Sequence, residues 1–141
     1  MAINILQTIT GGIIAAVVWF LVGGALYMNP WIAKIYRKAK KRPGLKKWKN
    51  NKKYMLSMFI FGILIQSLLF AFVYAFVKLV LPGSLVLNTF YFGLILVGVK
   101  IIPRLFDMWL QSTYPKKLLK IELINGTIGS FVIALVFTMF V

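Results

Sequence analysis

Four stretches of about twenty apolar residues each leave this chain few ways to fold. They run from about Ile5 to Met28, Tyr54 to Val77, Leu87 to Leu105 and Leu118 to Val141. A helix rising ~1.5 Å per residue needs about 20 such residues to cross roughly 30 Å of hydrocarbon. None of the four alternates with period two or carries a turn every ten residues, as the strands of a membrane barrel would. Composition agrees. Of 141 residues 61% are hydrophobic and 13% charged, against about 45–50% and about 25% in soluble domains. The first stretch lacks a basic leader and is too long for a cleavable signal peptide. The expectation is an all-α integral membrane four-helix bundle, one domain over residues 1–141.

The basic residues orient it. Eleven of the 17 Lys and Arg fall in the loop 29–53, between the first two spans. Five more, Lys100, Arg104, Lys116, Lys117 and Lys120, surround the turn from the third span to the fourth, on the same side as that loop. Only Lys78, beside the Pro82-Gly83 turn, falls on the other side. The positive-inside rule then places both basic turns in the cytoplasm and both termini outside, in an inner or plasma membrane.

The loop 29–53 carries a helix of its own. Asn29 suits an N-cap and Pro30 the first helical position. From there Trp31, Ile32, Ile35, Tyr36 and Ala39 share one face, and Lys34, Arg37, Lys38 and Lys41 the other. That is the pattern of an amphipathic helix lying in the headgroup layer. Pro43-Gly44 ends it, and the chain returns to the second span past Trp48. Each Lys or Arg near an anionic leaflet contributes about 1 kcal/mol. Trp31, Lys34, Arg37, Lys38, Lys41 and Trp48 are therefore candidates for binding anionic lipid headgroups or an acidic partner, beside the plainer role of anchoring and orientation. Nucleic acid is not an expected partner, because the loop's aromatic residues are better used at the bilayer surface.

Two further sets stand out within the spans. Gly12, Ala16 and Gly23 share a face of the first span, and Gly126 and Gly129 sit on the fourth. Such small residues let backbones approach, either inside one bundle or across a dimer interface. On the third span Lys100, Arg104 and Asp107 are spaced four and three apart, with Pro103 among them predicting a kink. Glu122 sits at about the depth of Arg104. Arg104 can pair with Asp107 along its helix or with Glu122 across the hairpin, and Lys100 can reach either acid. Counted from Leu105, Lys100 lies about 7–8 Å inside the span. This set reads as a salt-bridge cluster locking the last two spans, a lipid-phosphate pocket, or the working residues of a small homo-oligomeric transporter or channel.

Catalysis has little material. The chain has no Cys and no His and only two carboxylates, Asp107 and Glu122. That removes thiol and imidazole chemistry and nearly every transition-metal site, and no motif implies a cofactor. A non-enzymatic protein is expected, with membrane lipids and a second copy or a larger membrane complex as its partners.

The run from Ala15 to Trp31, with Gly23-Gly24 and an aromatic exit at Tyr27, resembles a family of small prokaryotic four-span proteins of unknown function. The ending Leu123-Ile124-Asn125-Gly126-Thr127-Ile128-Gly129 is similar to that family's last span. Leu26 and Met28-Asn29 depart from its usual residues. The resemblance covers the whole chain and implies a fold and a membrane location, with no mechanism attached.

Overall fold

The computed structural model describes residues 3–141, in which five helices follow one another and no strand occurs. They are α1 (Ile5–Met28), α2 (Pro30–Ala39), α3 (Asn51–Val77), α4 (Leu85–Gln111) and α5 (Lys116–Phe140). All except α2 are long and apolar enough to cross a membrane.

Local chemistry sets the boundaries. Asn4 caps α1 by accepting from the Gln7 N–H at 3.0 Å. Asn29 then ends α1 and begins α2. Preceding Pro30, it is pushed out of the helical region to φ −51°, ψ 129°, and its side chain accepts from the Trp31 N–H at 3.0 Å. Asn50 caps α3 on the Lys53 N–H, so that helix starts at Asn51 rather than near Tyr54. Ser84 caps α4 on the Leu87 N–H at 3.1 Å. That helix also runs beyond Leu105 to Gln111, because polar residues on one face end a hydropathic run without ending a helix.

Pro103 leaves its mark one turn upstream. It has no N–H to give the Val99 carbonyl, and the turn over Val97–Ile101 widens to π geometry, with the Ile102 N–H bonding the Val97 oxygen. The wider turn lies where the kink is predicted. A second π segment, Met58–Leu64, lies in α3 and contains no proline.

In the bundle α5 packs along both α1 and α4, and α1 packs along α3. Between lipid-facing helices close packing supplies the stability, since lipid tails are as apolar as the core. Small residues make that possible. Ala15, Ala16, Ala71 and Ala134 are fully buried. A methyl on Gly12 would lie 3.2 Å from the Leu68 Cα of α3. Gly126 abuts Ile101, Gly129 abuts the Trp19 indole, and Gly23 faces open space. The seam between α3 and α4 is filled by long side chains, with the Tyr74 ring 4.9 Å from Phe92 and 5.9 Å from Phe137.

The two ends of the bundle differ. At one, Lys78 donates to the Val141 carbonyl and Gly11 lies against Val141. At the other, Tyr27, α2, Arg104 and Glu122 come together.

Candidate functional site

Glu122 lies in the second turn of α5, close enough to the end of α1 for α2 to fold over it. Its Oε2 accepts from the Tyr27 hydroxyl at 3.0 Å and its Oε1 from the Tyr36 hydroxyl at 2.5 Å. Arg104 Nη2 stands 3.8 Å from Oε2, the one ion pair among the described residues. The carboxylate side chain is only 14% exposed, whereas that of Arg104 is 61% exposed. The two tyrosine hydrogen bonds, the Tyr36 one short, therefore hold the carboxylate, and the loose ion pair adds little. One carboxylate thus ties α1, α2, α4 and α5. Burial, then the Glu122 hydrogen bond and charge, push the Tyr36 hydroxyl far above the usual phenol range, so it stays a donor at physiological pH. Tyr114, in the turn between α4 and α5, is raised too, by burial and then by Glu122.

The four polar residues of the third and fourth spans are divided. Arg104 takes Glu122 rather than Asp107, which is exposed and has no ion pair among the described residues. Lys100 reaches neither acid. Because α4 continues to Gln111, Lys100 stands eleven residues from that end and fifteen from Leu85. At ~1.5 Å per residue these are about 16 and about 22 Å along the helix, with Arg104 and its Glu122 partner at the basic end only one turn away. Its ammonium lies 3.3 Å from the centroid of the Trp19 ring and 5.8 Å from that of Phe70. Lys100 Nζ, Ser67 Oγ and Asn125 Nδ2 are buried with no hydrogen-bond partner among the described residues.

A separate basic groove of about 390 Å³ runs between α2 and the start of α5. Lys34, Lys38, Arg42 and Lys117 line it with Trp31, Ile35, Ala39, Pro115 and Leu118, and no carboxylate does. Of the loop residues singled out from the sequence, Trp31, Lys34 and Lys38 lie on the groove. Arg37 and Lys41 are exposed away from it, and Trp48 packs on Tyr54 at 5.6 Å beneath the Lys46 ammonium.

Several participants escaped the sequence reading. Arg42 is one, although it continues the four-residue spacing of Lys34 and Lys38, because it lies past the end of α2. Trp19 could have been noticed as a tryptophan deep in a span, where that residue is uncommon. Tyr27 and Tyr36 gave no local sign, lying 95 and 86 residues from Glu122.

A protein family described only as being of unknown function, DUF1761, matches residues 11–138. No curated protein and no solved structure matches the chain.

Proposed function

We propose a non-enzymatic, lipid-engaging role for this chain, which belongs to the DUF1761 family of unknown function. The protein sits in the inner or plasma membrane with both termini outside, and its basic end faces the anionic cytoplasmic leaflet. There α2 lies in the headgroup layer, held by the Tyr36–Glu122 hydrogen bond. The groove between α2 and α5 takes an anionic phospholipid headgroup, with the acyl chains running down beside Trp31.

One observation carries this reading: four cations line a single groove with an apolar wall and no competing acid. Basic pockets between helices at the cytoplasmic side suit such headgroups. The surroundings reinforce the field, since the chain's net charge is +15. The transporter reading has less support, because Asp107 and Lys100 stand apart from the Arg104–Glu122 pair.

Spin-labelled phospholipids in reconstituted vesicles test the proposal. The wild-type protein immobilises anionic lipid in preference to zwitterionic lipid of the same chain length. Changing Lys34, Lys38 and Arg42 together to Gln removes about 1 kcal/mol each at most, cutting the preference by up to roughly a hundredfold. An undiminished preference in the triple variant contradicts the reading.

A further inference from the structure

We propose that the bundle interior around Lys100 is a binding site for a small monovalent anion of halide size. The site is separate from the lipid groove and rests on different residues. Lys100 Nζ is buried one turn inside Arg104 without a hydrogen bond, and it lies 3.3 Å from the centroid of the Trp19 ring. A cation–π contact contributes about 2 kcal/mol when desolvated. Leaving an ammonium unpaired in such surroundings costs several kcal/mol, so the ring alone does not balance it.

The protein has no countercharge to spare. Its only carboxylates are Asp107 and Glu122. The first is exposed, and the second is engaged by Tyr27, Tyr36 and Arg104. The charged neighbour that acts on Lys100 is Arg104, another cation.

The remaining groups fit an anion. Ser67 Oγ on α3 and Asn125 Nδ2 on α5 are also buried without a hydrogen bond, the Asn125 amide lying towards the Tyr27 hydroxyl. Ser67 lies one turn from Phe70, which faces the Lys100 ammonium at 5.8 Å. Asn125 lies one turn from Gly129, whose surface the Trp19 indole covers. The proposal places these donors, from three helices, around one anion floored by Trp19 of the fourth. An ammonium, an amide N–H and a hydroxyl ask together for an acceptor, and the ammonium asks for a negative one. A lipid phosphate is too bulky an occupant for an ammonium that lies buried against the Trp19 ring. A water molecule would supply hydrogen bonds but no charge.

Trp19 makes the test direct, because its ring touches the ammonium whose field the anion would neutralise. The protein carrying Trp31→Phe, Trp48→Phe and Trp109→Phe keeps Trp19 as its single tryptophan. In lipid nanodiscs it is titrated with sodium chloride against sodium gluconate at constant ionic strength. The expected result is a saturable change in Trp19 emission. Lys100→Met abolishes it, and Asn125→Ala weakens the apparent affinity about tenfold through loss of one hydrogen bond to a charged group. Where Lys100→Met does not fold, Asn125→Ala and Ser67→Ala carry the comparison. Emission that does not respond to chloride, as with ordered water in the site, overturns the proposal. So does an unchanged response in the folded variants.

Discussion

At the scale of single residues, Glu122 bears the greatest structural weight, and it does so through tyrosines rather than through its ion pair. Tyr36→Phe removes a hydrogen bond to a buried charge and should lower stability by about 1.5–3 kcal/mol. Arg104→Gln removes a mostly exposed partner 3.8 Å away and should cost under about 1 kcal/mol. Thermal unfolding of the two variants in one detergent gives the order directly. The pH dependence has a definite sign. The Tyr36 hydroxyl titrates higher in the folded protein than in the unfolded chain, where its value is about 10. Its contribution is therefore complete below pH about 10 and declines above it. Denaturation measured from pH 8 to 11 should show that fall in the wild type and less of it in Tyr36→Phe. Neither tyrosine was legible as a partner of Glu122, because no local pattern links positions nearly a hundred residues apart.

At the scale of elements, hydropathy located the four long helices and end chemistry corrected their limits. The Asn29-Pro30 break was readable in advance, since a cap followed by a proline has few other uses. The length of α4 was not readable from the apolar run, because Asp107 interrupts the run while the helix continues. The added turns carry Asp107, and Lys100 stays one turn inside the Arg104–Glu122 end. The small residues also divide by element. Gly12→Ala sets a methyl 3.2 Å from the Leu68 Cα and should destabilise the α1–α3 contact by about 1–3 kcal/mol. Gly23→Ala meets nothing within 4 Å and should stabilise its helix by about 0.5–1 kcal/mol. Melting temperatures of the pair, compared with wild type, check both signs. A destabilised Gly23→Ala would instead mean that this face is covered by another chain.

At the scale of the whole molecule, charge is distributed to one end of an otherwise apolar bundle. The chain contains no Cys, so single cysteines report on orientation cleanly. In intact cells, Leu79→Cys should react with a membrane-impermeant maleimide, and Lys47→Cys should react only after the membrane is opened. The reverse pattern would place the groove on the wrong leaflet for anionic lipid. Native mass spectrometry of the protein extracted gently from its own membrane reads the bound lipid itself. The expected spectrum shows a monomer or dimer that retains anionic phospholipid, and loss of that adduct when Lys34, Lys38 and Arg42 are changed to Gln. A lipid-free wild type, or an adduct that persists in the triple variant, would contradict it.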